Sequence, residues 1–542
     1  MRTSHLHHDF RSFLAPIESE HAHLQHALRM AGTPLGRRAS QGSQGKTVVL
    51  RSIEDIKRHF AHNERPYFFI SATHFNTLEM HRWVNHWHNI TLIDCMDGSE
   101  PAIFNHADDH SRSFSGIEDV NHYLLDSAEV QRHIRRLAPP RSGAQALFLF
   151  FDEALEAKAQ QLGLSVALPR NALVRQVDSK VVTTRIGNAA GVASVPNVLA
   201  HVDSYAALRA AADGANLGPH LVVQLPYGDS GKTTFFISDE QDYLRVAAAI
   251  EAERTVKIMR RVRCVGTAIE ACATRWGTFV GPLLKELIGQ SALTPYAGGW
   301  CGNENHQGAF DMTTRRAVQR KTQAIGQALY ERGYRGTFEI DYLIDLDSAE
   351  VYLGELNPRL TGVTTLTNTS EFTHQQLPLL LFHLLEYDPQ VDLRMDVDAF
   401  NEAVLRDGAQ GISSQLILKH TRESLETIKA APPSGVYRLD DHGALQLRKT
   451  SSLRSDACAP DEAFVLRILR PHDLAYRGAD LAILFANEPL SDEQGVLSPR
   501  GVTWTTALNQ AFDRTPLSAG AAEDVPDAFA NIKGSASSST TP

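Results

Sequence analysis

Gly336-Thr-Phe-Glu-Ile-Asp341 and, a short turn later, Gly354-Glu-Leu-Asn-Pro-Arg-Leu-Thr-Gly362 decide how this chain is read. Their mix of apolar and acidic residues predicts two short strands joined by the turn Asp345-Leu-Asp-Ser-Ala-Glu350. Period-2 alternation then sends Asp341, Glu355, Asn357 and Arg359 to defined faces. Acidic side chains on facing strands imply a metal.

The rest of the composition bounds what such a pair could belong to. The 542 residues suffice for three or four domains with real cores, and 43% hydrophobic with 21% charged residues is ordinary for a globular protein. A formal charge of −10 leaves no broad basic field, so neither nucleic acid nor an anionic membrane is the expected partner, and any phosphate recognition must be local. The five cysteines have no CxxC spacing and read as free thiols of a reducing cytoplasm. The apolar runs Ala146 to Phe151 and Leu377 to Leu385 are too short to span a bilayer. A cytoplasmic protein is expected.

Residues 1–45 read as an N-terminal helix thinning into a Gly/Ser-rich linker, and their histidines lack a scaffold of shared carboxylates or cysteines for a metal. Residues 46–170 alternate short apolar runs (47–50, 67–71, 90–94, 146–151 and 164–168) with helical stretches, the pattern of a largely parallel, Rossmann-like α/β unit without a GxGxxG fingerprint. His81, Trp83, His86, Trp87 and His88 are placed in one amphipathic segment. A helix capped by Asp178 or Ser179 runs to Gly191, with Lys180 in its first turn, where the helix dipole disfavours a cation and an anionic partner would relieve the misfit. His220 to Ile237 reads as strand, glycine loop, strand, its loop offering backbone N–H groups and Lys232 to phosphates. It is no P-loop, because Pro226 stands where GxxxxGK[ST] requires glycine and a strand follows. Tyr296 to Asn305 is a Gly- and aromatic-rich loop, and Thr313 to Gly333 an amphipathic helix. Residues 396–515 read as a further α/β or β-rich domain and 516–542 as a disordered tail.

In this order the pieces resemble the ATP-grasp superfamily, in its biotin carboxylase-like branch, over roughly residues 146 to 450. The resemblance implies an α/β (α+β ATP-grasp) fold with a Rossmann-like pre-ATP-grasp domain and a two-lobed core over 171–395, of which 171–255 form a mobile ATP lid. It implies ATP and Mg²⁺, with Mn²⁺ as a substitute, small-molecule substrates, and the homodimer common among related enzymes. Carried over by position, Lys180, Gln224, Gly228, Ser230, Gly231, Lys232 and Lys257 would meet the nucleotide, Asp341, Glu355 and Asn357 would hold the metal, and Arg359 with Lys232 would be catalytic. Glu339 shares the face of Asp341, so which of the two is the first ligand stays open.

Departures narrow the chemistry. Biotin carboxylases follow this motif with Val-Glu-His, whose glutamate is a base; Gly362, Val363 and Thr364 stand there instead. Gln224 replaces a usual lysine, Lys257 lies in a hinge that usually offers an acid, and no biotin-accepting Met-Lys-Met occurs. Asn357 to Gly362 looks like the carboxylate-amine ligase form of the motif. The expected activity is therefore an ATP-dependent carboxylate-amine (or thiol) ligase acting through an acyl phosphate. A biotin carboxylase-like carboxylation and a non-catalytic ATP-binding regulator are the alternatives. Arg315, Arg316, Trp300, Lys419 and the loop around Asn303 are substrate-pocket candidates by placement.

Overall fold

The continuous apolar run Tyr67-Phe-Phe-Ile-Ser71 is buried at every position, as a strand covered on both faces must be. It lies at the centre of a five-stranded parallel sheet in the order Ile103–Asn105, Trp87–Thr91, Tyr67–Ser71, Gln145–Phe148, Ser165–Val166. Because the order reverses beside Tyr67–Ser71, the carboxyl ends of that strand and of Gln145–Phe148 frame a switch-point crevice. The computed structural model describes residues 47–106, 114–228, 233–370, 373, 376–408, 411 and 413–517. The helix and linker expected over 1–45, the hairpin tip carrying Ser230, Gly231 and Lys232, and the tail from 518 onward lie outside these residues. Pro516 ends a strand, Asp513–Pro516.

Two details of this region differ from expectation. Val48–Leu50 pairs in parallel with Val391–Leu393 as a separate two-stranded sheet, although its apolar run reads like the other strands. The His81 to His88 segment is not one element: a single 3₁₀ turn, Met80–Arg82, precedes a left-handed His86, and Trp87 begins the next strand. Trp87 is buried beside Tyr67, so the aromatic spacing reflects strand packing.

A second, antiparallel sheet takes the order Asn197–Ala200, Val256–Arg260, Leu221–Gln224, Thr234–Ile237. Leu208, Leu221, Val223, Tyr243, Ile250 and Ile258 give it a core of its own, and the expected hairpin is its edge. The largest sheet contains both strands of the opening stretch, Gly336–Asp345 and Val351–Asn357, and continues through Cys264–Thr274, Leu284–Ile288 and Trp300–Asn305. Trp300 to Asn305 is thus a strand and not the loop expected there. The sheet runs on without interruption into Ser413–Lys419, Asp480–Ala486 and Glu462–Arg467. Strands of the segment 396–515 therefore extend the same sheet.

Two helices fix this sheet. Met312–Glu331, capped by Asp311 at Thr314 N (2.7 Å), lays Val318, Ile325 and Leu329 on Phe338, Ile340 and Tyr342. Leu379–Glu386 is buried all round, as an apolar helix must be when it is wedged between two layers. Its Phe382 stacks on Phe279 at 3.8 Å between ring centroids, while His383 bridges Thr337 N (2.9 Å) and Ala167 O (2.7 Å). No helix among the described residues is long and apolar enough to cross a membrane.

Candidate active site

Register on the central sheet places the acidic residues together. Glu339 is opposite Asn357 and Asp341 opposite Glu355, and the register then slips so that Tyr342 faces Leu353. Gly354 is the extra residue of this bulge, and a Cβ there would lie 2.8 Å from Asp341 O, closer than a side chain tolerates. Regular pairing up to the bulge sets Glu355 on the same face as Glu339, Asp341 and Asn357. On the next strand, Cys264–Thr274, Glu270 pairs with Glu339 and Ala268 with Asp341.

Glu339, Asp341, Glu355, Asn357 and Ala268 line a cavity of about 410 Å³ together with Phe150, Asp178, Gly228, Glu286, Trp300, Arg359 and the Thr361 to Val363 turn. Each wall comes from a different part of the chain. Lys180, the first residue of the helix Lys180–Ala189, is buried and donates to Gly228 O at 2.7 Å and to Glu355 Oε1 at 2.8 Å. Its backbone N–H donates to Pro226 O at 2.8 Å, so one residue joins the hairpin to the acidic strands. Phe150 follows the strand Gln145–Phe148 at the switch point and carries the Arg359 guanidinium on its ring, 4.5 Å from the centroid. From the same crevice Asn76 Nδ2 donates to Thr361 O at 2.7 Å, and Thr365 Oγ1 donates to Phe75 O. The N-terminal sheet thus holds the turn that follows Arg359.

Electrostatics in the cavity are dominated by crowded carboxyls. Burial, then the neighbouring Asp341, pushes Glu339 well above the ordinary carboxyl range; burial pushes Asp341 up to about 6. Glu286 is raised by burial and by Asp341 and Glu355, and Asp178 by burial, with Arg359 opposing. Asn357 donates Nδ2–H to Glu339 Oε2 at 2.7 Å and to Asp341 Oδ2 at 3.3 Å, while its Oδ1 accepts from Arg359 at 3.1 Å. Glu339 Oε1 is buried with no hydrogen-bond partner.

A hard divalent cation fits this donor set. It favours carboxylate and amide oxygens, and it would satisfy the orphaned Glu339 oxygen and relieve the repulsion. Among the described residues no three His, Cys, Asp or Glu side chains already converge on one metal position. Lys180 is on Glu355 and the Asn357 amide shows its nitrogen to the acids, so phosphate oxygens would have to complete the shell.

On the second sheet Gln224 and Lys257 are directly opposite each other. Lys257 is buried, which pushes its ammonium down to about 8 despite the attraction of Glu355. Gln224 Nε2 reaches Thr234 Oγ1 at 3.3 Å and its Oε1 has no partner. Ser230, Gly231 and Lys232 lie outside the described residues. Of the pocket candidates read by placement, only Trp300 lines the cavity, braced by Asn303, whose Oδ1 accepts its indole N–H at 2.8 Å. Arg315 is spent on His306 O and Phe310 O, Arg316 pairs with Glu402, and Lys419 with Asp480. The sequence reading missed Glu286, Asp178 and Phe150. Alternation on Leu284-Lys-Glu-Leu-Ile288, with a carboxylate on one face and a lysine on the other, was the available signal for Glu286.

Comparison of the sequence with family models finds no match, and comparison with curated proteins finds none. In structure the chain is similar to biotin carboxylase from Campylobacter jejuni, solved as a β,γ-ATP complex, with a TM-score of 0.54, 11% identity, and coverage of 86% of this chain and 96% of that one. It is also similar to pyruvate carboxylase from Rhizobium etli, solved with the allosteric activator acetyl coenzyme A, with a TM-score of 0.51, 14% identity, and coverage of 86% of this chain and 39% of that one. At these identities the likeness shows the fold, the α/β ATP-grasp architecture that the order of the sequence motifs implies.

Proposed function

From the ATP-grasp fold these structures share, we propose that the chain is a cytoplasmic ATP-dependent carboxylate-amine (or thiol) ligase, releasing ADP and phosphate. In this reading a substrate carboxylate oxygen takes the γ-phosphoryl group of ATP, and the amine or thiol attacks the acyl carbon and expels phosphate. The observation that carries the proposal is the junction at Lys180, which holds Gly228 O and Glu355 Oε1 at 2.7 and 2.8 Å. An ammonium between a glycine hairpin and an acidic strand pair is where polyphosphate oxygens and their counter-ion would meet.

Lys180 and Lys257 supply positive charge to the phosphates, Gly228 brings the hairpin backbone close, and Gln224 offers its amide beside Lys257. Glu339 or Asp341, with Glu355 and Asn357, would hold Mg²⁺ or Mn²⁺, which when bound neutralises charge on the phosphate oxygens. Arg359, held over the Phe150 ring, aims its guanidinium at the acceptor carboxylate and the group it receives. No side-chain nucleophile is needed.

Carboxylation through carboxyphosphate is the second reading, favoured by the likeness to biotin carboxylase. Against it, the position of the expected base is Val363, a hydrophobe in the cavity wall, and Thr364 turns inward to Glu270 at 2.6 Å. One assay separates the readings: Mg-ATP with pools of amino acids, other acids, thiols, and bicarbonate with biotin, following ADP, AMP and phosphate. ADP release that depends on an acid and an amine or thiol supports the ligase. AMP as product sinks it, dependence on bicarbonate and biotin transfers the site to carboxylation, and binding without turnover leaves a regulator.

A further inference from the structure

We infer that Glu286 and Trp300 form a seat for the ammonium group of the acceptor amine; this rests on the ligase reading above and narrows it from amine or thiol to amine. The two residues belong to neighbouring strands, Leu284–Ile288 and Trp300–Asn305. Glu286 is in register with Asn303, and Asn303 Oδ1 holds the Trp300 indole N–H at 2.8 Å. Trp300 also rests on Gly362, where a Cβ would come 2.1 Å from Cη2 of the indole. The ring is therefore fixed at the end of the turn that begins with Arg359.

Glu286 reaches into the cavity across the adjacent strand. A Cβ at Gly266 would lie 2.8 Å from Glu286 Oε2, so the carboxylate lies against the bare backbone of Gly266. Among the described residues it has no hydrogen-bond or ion-pair partner, unlike Glu355 with Lys180 or Glu339 with Asn357. One strand further, Gln415 faces Asn303, donates Nε2–H to Gly362 O at 2.9 Å, and leaves a buried Oε1 unpartnered. An open carboxylate and a fixed indole in the cavity wall are the acceptors an ammonium asks for, including the ring face that attracts a cation. A second metal fits less well, because an indole offers no oxygen ligand. Arg359 lines the same cavity and would bind the anionic substrate group, so the cavity offers one group for the acid and another for the amine.

The test uses the full chain with n-butylammonium as the cationic probe, and n-butanol and butyrate as neutral and anionic counterparts. Indole N–H resonances of ¹⁵N-labelled protein are followed in the presence of Mg-ADP, with Trp300→Phe identifying the Trp300 signal. Butylammonium is expected to move that signal saturably, the other probes not, and Glu286→Gln to weaken its affinity by about tenfold or more, the size of a lost charge-assisted hydrogen bond. Mg-ADP affinity, measured by calorimetry, should change less than about twofold in Glu286→Gln, well inside one such bond. An equal butylammonium response in Glu286→Gln, a response to butanol, or a loss of Mg-ADP affinity in that variant would each overturn the seat. If wild-type protein fails to bind Mg-ADP while butylammonium binding still depends on Glu286, the ligase reading falls and the seat stands.

Discussion

Lys180, 3% exposed, and Glu355, 29% exposed, form a 2.8 Å ion pair across the line where the hairpin sheet meets the acidic strands. Both partners are needed elsewhere in the proposed reaction, one by phosphate and the other by a divalent cation. Nucleotide entry must therefore exchange this pair for two new ones. Lys180→Met is expected to weaken Mg-ADP binding by about tenfold or more, as loss of a charge-assisted contact does. Its thermal midpoint without nucleotide should fall only modestly, because Glu355 keeps partial access to water. Calorimetry and thermal unfolding with and without Mg-ADP measure both, and unchanged binding would remove Lys180 from the nucleotide site.

Glu355→Gln tests the other half of the pair. The substitution preserves shape and a hydrogen-bond acceptor but deletes one charge, and turnover of Mg-ATP is expected to fall by about 100-fold or more, comparable with removing one preorganised electrostatic group. The fold should survive, since repulsion from Asp341 and Glu286 is relieved at the same time. Wild-type turnover in this variant would detach the Gly354 to Gly362 stretch from the chemistry.

What could be read in advance follows from how local the cause is. The acidic hairpin, the glycine hairpin, the long helix before Gly336 and the apolar helix near 380 all follow from periodicity and turn residues within the segment itself. The assignment of Val48–Leu50 to a strand 340 residues away was not legible, because three apolar residues satisfy either sheet equally. The same holds for the unbroken sheet from Val351–Asn357 to Asp480–Ala486, since edge-to-edge continuation leaves no mark in composition. Phe150 and Asp178 escaped notice for a related reason. Phe150 is an ordinary residue just after a strand, and only the docking of the N-terminal crevice on the Arg359 turn gives it a role; Asp178 is the last residue of the helix Asn171–Asp178 and reaches the cavity only through the fold.

His74 allows a pH test away from the proposed chemistry. It is buried with both ring nitrogens unpartnered, and burial, with His81 adding to it, pushes it down to about 3 from 6.5. The folded state excludes a proton that the unfolded chain accepts, so this contribution is fully present above pH 6.5 and is lost as pH falls from 6.5 towards 3. His88 and His383, both pushed down to about 4, act in the same sense. Glu270, pushed up to about 7 by burial, acts oppositely: its contribution is present below 4.5 and is lost as pH rises towards 7. His74→Leu is expected to be neutral or stabilising at pH 7.5 and to flatten the acid-side decline by about 1 kcal/mol between pH 6.5 and 5.5, approaching about 1.4 kcal/mol per pH unit further below. Denaturant midpoints at pH 7.5, 6.5 and 5.5 check this; an unchanged slope would show that His74 takes up its proton in the folded protein.

Gln224 and Lys257 pose the sharpest question for the nucleotide site, because neither is the residue that the resemblance leads one to expect. They are cross-strand partners, Lys257 on Val256–Arg260 and Gln224 on Leu221–Gln224. Side chains at paired positions share one face and sit a few ångströms apart, about 4.5–5.5 Å between Cβ atoms. In the proposed reaction an ammonium on either strand would therefore serve the same phosphate oxygens, and Lys257 would stand in for a lysine on the hairpin. Lys257→Gln alone is expected to weaken Mg-ADP binding by about tenfold or more. The exchanged double variant, Lys257→Gln with Gln224→Lys, should recover most of that loss, since it restores one charge to the face without placing two ammonium groups side by side. Gln224→Lys alone would set a second cation against buried Lys257 and should destabilise the nucleotide-free protein. If the double variant binds no better than Lys257→Gln, the charge is required on the Val256–Arg260 strand itself, and the cross-strand exchange is wrong.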